Sequence, residues 1–315
     1  MQARSERLKI IRRLAVLLAS LSLLMLLVSA YIRLGGAGLG CSDWPDCYGR
    51  LLAGGAHPHT GAVRFLHRGI ASLALLLGFL LAWRCLRPYP IQPAARQATL
   101  LLALMILLTF IGIFSADSHR AWASFGNILG GVALVALSWR LVLSTAPDVG
   151  TPALAAAPRA AGLLHGGLAA LVVAIALGAL IGARYAALSC TSVPACDGVW
   201  WPPAQGWAAL DPFAAVAAPA APGDAGGVAL HLLHRAAALA ALLLLGLGGL
   251  QALAVAATRK IAALLLVLLG IEFALGSLTV LSGFSLGLAI GHSVGAALLL
   301  ATGMQLRGLL RHSQD

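Results

Sequence analysis

Eight apolar runs, each long enough to cross a bilayer, decide what this chain can be. They lie near residues 13–33, 62–83, 98–116, 121–143, 161–182, 227–255, 261–281 and 285–306. A hydrocarbon core roughly 30 Å thick takes about 20 helical residues to span. Lipid offers no partner to a backbone amide, so each run must close its own hydrogen bonds as a helix. With 60% hydrophobic and only 10% charged residues, the reading is an all-α integral membrane protein of eight transmembrane helices, and two soluble domains of the same total length are excluded.

The net charge of +11 does not point to nucleic acid, because the basic residues follow the alternation of loops and form no single patch. Arg4, Arg7, Lys9, Arg12 and Arg13 precede the first run, and Arg84, Arg87 and Arg96 flank the second connection. Arg140 and Arg159 flank the fourth connection, Arg259 and Lys260 make the sixth, and Arg307 and Arg311 end the chain. The positive-inside rule makes these ends and both termini cytoplasmic, with the odd-numbered loops outside. Val28-Ser29-Ala30 has the small residues of a signal-cleavage site, but the same kind of segment returns as the fifth run, where no signal can stand.

Three matches in order indicate an internal duplication. Cys41, Pro45, Cys47 and Gly49 return as Cys190, Pro194, Cys196 and Gly198; Leu66-His67-Arg68 returns as Leu233-His234-Arg235; Gly126-Asn127 returns as Gly291-His292. A repeated four-helix unit contains an even number of spans, so the copies run parallel. The expected division is residues 1–144, a cytoplasmic Pro- and Ala-rich linker at 145–160, and residues 161–315: two tandem parallel four-helix-bundle repeats. The stretch from Pro202 to Gly227 is a long outer segment without a readable element, suited to capping the second half.

His67, Asn127, His234 and His292 each fall five to seven residues below the outer end of an even-numbered run, roughly 7 to 11 Å deep at 1.5 Å per residue. Ionisable side chains at that depth are functional candidates by default. His234 and His292 can face one another as two axial ligands of a heme in a bundle core. The rival readings are imidazoles that merely fasten helices through backbone carbonyls, and zinc, which usually takes three or four ligands. No Cys-x-x-Cys-His occurs, which excludes covalent c-type attachment.

Arg68 and Arg235 follow their histidines and suit heme propionates or snorkelling to headgroups. Arg33, Arg64 and Arg184 read as snorkelling side chains, and His231 as an outer-interface residue. His57, His59, His119, His165 and His312 read as exposed. Glu272, mid-helix in the seventh run, requires protonation or a partner. Cys41, Cys47, Cys190 and Cys196 lie in outer loops, where each pair is either a structural disulfide or a redox couple; Cys85 lies at the cytoplasmic end of the second run.

The stretch Arg33-Leu34-Gly35-Gly36-Ala37-Gly38-Leu39-Gly40-Cys41-Ser42-Asp43-Trp44-Pro45-Asp46-Cys47-Tyr48-Gly49 resembles the first outer loop of the heme A synthase family. The two His-Arg stretches, the segment ending at Trp200 and His292 extend the resemblance over nearly the whole chain. It implies an eight-helix enzyme of a bacterial-type inner membrane that oxidises the C8 methyl of heme O to a formyl group, giving heme A for a terminal oxidase. Heme b would sit on His234 and His292, with heme O as substrate on His67 and Cys41 and Cys47 serving that outer pocket. A heme O synthase partner, a quinone as electron acceptor and homo-oligomerisation belong to the same expectation.

Two positions depart from the family pattern, Arg64 for a glutamate and Asn127 for a second histidine. They raise the alternative of a noncatalytic heme-binding assembly factor. A membrane thiol oxidase would need no buried histidine pair, and a transporter would show helices broken by Gly or Pro in matching places.

Overall fold

A computed structural model describes residues 2–39, 41, 46–49, 60–115, 117–145 and 158–311. Eight long helices form: α1 (Gln2–Gly36), α2 (Thr60–Leu86), α3 (Ala94–Phe114), α4 (Ala121–Ser144), α5 (Pro158–Ala183), α6 (Ala225–Leu253), α7 (Arg259–Leu281) and α8 (Leu286–Arg311). All eight are long and apolar enough to cross a membrane. No strand occurs among the described residues, where the only bridge joins Cys196 to Val199. The expected inner linker falls almost wholly on residues 146–157, outside the described ones.

The first helix starts well before the apolar run. Arg4, Arg7, Lys9, Arg12 and Arg13 were expected ahead of it, yet they belong to α1, because no Gly or Pro interrupts this stretch and Arg, Lys and Glu are good helix formers. Its basic end is tied down: Arg7 donates to the carbonyls of Arg84 and Tyr89, at 2.6 and 2.9 Å, where α2 turns towards α3. Proline opens α5 at its first position, where a missing amide proton costs nothing. Asp224 caps α6, accepting from the Gly227 amide at 2.8 Å.

Within the first four helices α1 packs on α2 and α4, and α3 on α2 and α4; within the last four, α5 packs on α6 and α8, and α7 on α6 and α8. The same neighbour pattern thus occurs twice. The two sets meet through α4 against α5 and α8, and α1 against α8. One core joins Leu26, Val132 and Val135 to Leu164, Leu168, Leu245, Leu265 and Leu299; a second lies inside the first four helices around Leu18, Leu81, Leu101 and Leu134. Glycine brings α5 and α6 together, since a Cβ at Gly167 would stand 2.8 Å from Leu245 and one at Gly248 3.0 Å from Leu164. Large apolar side chains such as Leu76, Phe110, Ile113, Leu243, Val267 and Phe273 face outward, as helices solvated by hydrocarbon require.

The outer segment after Pro202 is ordered and reaches further than a cap on one half. A 3-10 turn at Ala204–Leu210 rests on the start of α6. The chain then crosses to the first half, where the Val216 amide donates to the His119 carbonyl at 3.1 Å and Pro219 abuts Gly49. The Tyr48 hydroxyl accepts from the Ala187 amide at 3.2 Å, and its ring meets Tyr185 edge-on at 6.2 Å. Burial pushes both phenols above their ordinary pKa. The outer loops of the two halves are therefore braced on each other.

Candidate functional site

In the last four helices, α6 and α8 stand diagonally across a bundle whose other corners are α5 and α7, and each contributes one histidine. His234 on α6 donates from Nδ1 to the Ala174 carbonyl of α5 at 2.8 Å. His292 on α8 holds Nδ1 3.0 Å from Oε1 of Glu272 on α7. The rings face each other with centroids 6.2 Å apart and planes at 90°. The Nδ1 of His234 is thus hydrogen-bonded to α5, whereas the Nδ1 of His292 lies at ion-pair distance from the carboxylate without hydrogen-bond alignment.

Two glycines make room for these rings. A Cβ at Gly178 on α5 would lie 3.2 Å from Cε1 of His234, and one at Gly276 on α7 would lie 2.9 Å from Cε1 of His292. The second distance is shorter than real Cβ contacts allow, so any side chain at Gly276 displaces the imidazole. Gly295 serves Glu272 in the same way, because a Cβ there would collide with Oε2 of the carboxylate.

A heme iron fits this pair. Metal–imidazole bonds of about 2 Å, with each ring centre roughly 1.1 Å behind its nitrogen, place two axial imidazoles about 6.3 Å apart between centroids. The observed 6.2 Å matches that spacing. A closed zinc site fits less well, since among the described residues the one group of three His, Cys, Asp or Glu ligand atoms close enough for an ion is Cys190, Cys196 and Asp197. There the sulfurs pair with each other, and the Asp197 carboxylate accepts from the Thr191 amide at 3.0 Å and hydroxyl at 2.9 Å. These bonds, the amide first, hold the Asp197 carboxyl below its usual pKa.

The structure places the remaining candidates unevenly. Cys41 pairs with Cys47 and Cys190 with Cys196, at Cα separations of 6.8 and 5.0 Å. Ser42, Asp43, Trp44 and Pro45 lie outside the described residues, as do His57, His59 and His312. Arg235 donates to the Pro194 and Ala195 carbonyls at 3.0 and 2.8 Å, fastening the second cysteine loop to the helix of His234; its other terminal nitrogen is buried without a partner. Arg68 and Arg64 are exposed, and His67 and Asn127 are half-buried. No hydrogen bond reaches His67 or the Asn127 amide among the described residues.

Three readings change. His231 is buried and not interfacial: the outer loop folds over it, and its Nε2 meets the Ala186 carbonyl at 3.0 Å. Arg184 donates to the Asp211 carbonyl at 3.1 Å, and does not simply reach for headgroups. Arg33 turns inward, its guanidinium packed over Gly182 of α5 near Tyr48 and Tyr185. Small residues on α5 open that space. The partnership of Glu272 with His292 was not readable along the chain, although the isolated carboxylate was a signal that some partner exists.

Comparison with known proteins decides the family. The model of the cytochrome oxidase assembly protein family matches residues 12–60 and 126–304. The chain belongs to the heme A synthase family. It is 29% identical to a heme A synthase of Shewanella oneidensis over 93% of this chain and 94% of that protein. To a heme A synthase of Shouchella clausii it is 28% identical over 61% of this chain and 65% of that protein. His234, Glu272, His292 and Asn127 lie within the matched stretches of this heme A synthase family member, and His67 lies between them.

Proposed function

We propose that this protein is a membrane oxidoreductase of cytochrome oxidase assembly that converts the C8 methyl of heme O into the formyl group of heme A. The observation that carries the reading is the pair His234 and His292, one ring hydrogen-bonded to the Ala174 carbonyl and the other beside the Glu272 carboxylate, at a centroid spacing suited to two imidazoles on one iron. Heme b bound there supplies one-electron redox chemistry. Forming the formyl group removes electrons and adds oxygen, so an acceptor is required, and a quinone is the membrane-soluble class that suits it. The two halves act as tandem copies of one four-helix unit, supported by the repeated neighbour pattern of the helices.

The chain's own residues divide the work. His234 and His292 bind and orient heme b, while apolar helices on all sides exclude water. His67 anchors substrate in the first four helices, and the Cys41–Cys47 loop closes the outer side of that pocket. Arg68 and the unpartnered nitrogen of Arg235 offer cations to propionates. The basic helix ends orient the protein with both termini cytoplasmic in a bacterial-type inner membrane. Heme O enters from the bilayer or from a heme O synthase.

A second reading is favoured by one observation: Asn127, at the position of a second histidine, meets no side-chain hydrogen-bond partner among the described residues, and an amide is a poor iron ligand. On that reading the chain is a noncatalytic heme-binding assembly factor. Purifying the protein, extracting its pigments and identifying them by chromatography and mass separates the two. Heme A or a hydroxylated heme O supports the synthase; heme B alone supports the assembly factor.

A further inference from the structure

Glu272 is a carboxylate in the middle of a transmembrane helix, only 8% exposed. Burying such a group in hydrocarbon is expensive unless something compensates it. Its Oε1 lies 3.0 Å from His292 Nδ1, whereas Oε2 is buried against Gly295 without a hydrogen-bond partner. No Lys or Arg among the described residues forms an ion pair with it. The polar group recorded within ion-pair distance is the imidazole of His292, whose own Nδ1 is buried without an aligned hydrogen bond and whose ring lies 6.2 Å from that of His234 between centroids.

The two rings differ in what holds them. His234 donates to a neutral carbonyl of α5, and His292 stands against a carboxylate of α7. A carboxylate behind a ligating histidine fixes its tautomer and raises its basicity. It also places negative charge near the metal, which favours the more positive oxidised iron. The offset of 165 that aligns Asn127 with His292 aligns Leu107 with Glu272, and Leu107 is 53% exposed. The carboxylate is thus a property of the last four helices alone.

We infer that Glu272 is a positioning residue for the heme ligand His292: it accepts the Nδ1 proton, aims Nε2 at the iron, and holds the reduction potential of that heme down. This rests on the two-histidine heme site proposed above. A residue that merely tied α7 to α8 would leave the potential alone.

The test uses full-length, heme-loaded protein in detergent, with an optical redox titration and low-temperature EPR of wild type, Glu272→Gln and Glu272→Asp. The amide keeps an acceptor but removes the charge, so Glu272→Gln keeps a low-spin spectrum and its midpoint potential rises. Glu272→Asp stays nearer to wild type. A low-spin Glu272→Gln protein whose potential is unchanged or lower overturns the inference. If Glu272→Gln takes up no heme, Glu272→Asp decides: low-spin heme there assigns the role to the charge, and its loss there too reduces Glu272 to helix packing. Failure of the underlying site looks different, as a low-spin heme that survives both His234→Ala and His292→Ala.

Discussion

The first and last four helices of this chain share a neighbour pattern and differ in what they do with their histidines. In the last four, His234 is hydrogen-bonded to Ala174, His292 stands 3.0 Å from Glu272, and Gly178 and Gly276 house the two rings. In the first four, His67 and Asn127 are half-buried with no side-chain hydrogen bond among the described residues, and the positions matching Glu272 and Gly276 are Leu107 and Ile111. Ile111 fills its space, lying 3.4 Å from a Cβ at Gly126. The last four helices thus bring two imidazoles together, and the first four set an amide where the second imidazole would stand. On the function proposed above, that difference would separate a resident redox group from an exchangeable substrate.

The largest effects should come from exchanging these features. Asn127→His should turn a labile or high-spin heme of the first half into a low-spin one, seen as a second low-spin species by EPR. His67→Ala should empty that pocket and leave the other heme in place. The loss of a sole protein ligand should far exceed an ordinary hydrogen bond, worth about 1 kcal/mol. Retention of all heme and of full activity in His67→Ala would show that the first half is a structural copy only.

Gly276→Val sharpens the comparison from the other side. It gives α7 a β-branched side chain like that of Ile111 and drives it into His292. Overpacking of this kind costs roughly 1 to 3 kcal/mol, and here it should fall on ligation, so the purified variant should lose low-spin heme while remaining in the membrane. Normal heme content would mean that the ring does not sit over Gly276.

A smaller effect is expected at Arg235, whose two carbonyl bonds fix the second cysteine loop. Arg235→Met should loosen residues 190–196, at a cost of about 1 kcal/mol once the partly exposed setting is discounted. Faster proteolysis of that loop in sealed vesicles of known orientation would register it. The smallest effect concerns Asp197, whose carboxyl is held below the ordinary value near 4. A lowered folded pKa stabilises the loop above the ordinary carboxylate range, and that contribution disappears as pH falls through the lowered value. The protection of the Thr191 amide against hydrogen exchange, taken relative to its intrinsic rate at each pH, should therefore fall on acidification in wild type and show no such step in Asp197→Asn.

The helices were legible because hydrocarbon imposes a single solution on an apolar run of this length. The pair His234 and His292 was legible too, as two ionisable groups at matching depth beside repeated motifs. What escaped the sequence depended on contacts between helices. Glu272 and His292 are 20 residues apart on different elements, and no periodicity connects them. His231 was misplaced because the groups that meet it, the Ala186 carbonyl and the Phe284 ring, come from turns far along the chain. Arg33 was misplaced because the small residues that admit it lie on α5, far along the chain. The start of α1 was put too late because a charged stretch reads as a loop when hydropathy alone is followed.

The most direct measurement is the low-spin EPR signal of a His67→Ala protein, in which only the pocket between α6 and α8 can hold heme. The account predicts one low-spin heme per chain in that variant and none once His292→Ala is added. A low-spin signal that persists unchanged in the double variant would contradict it.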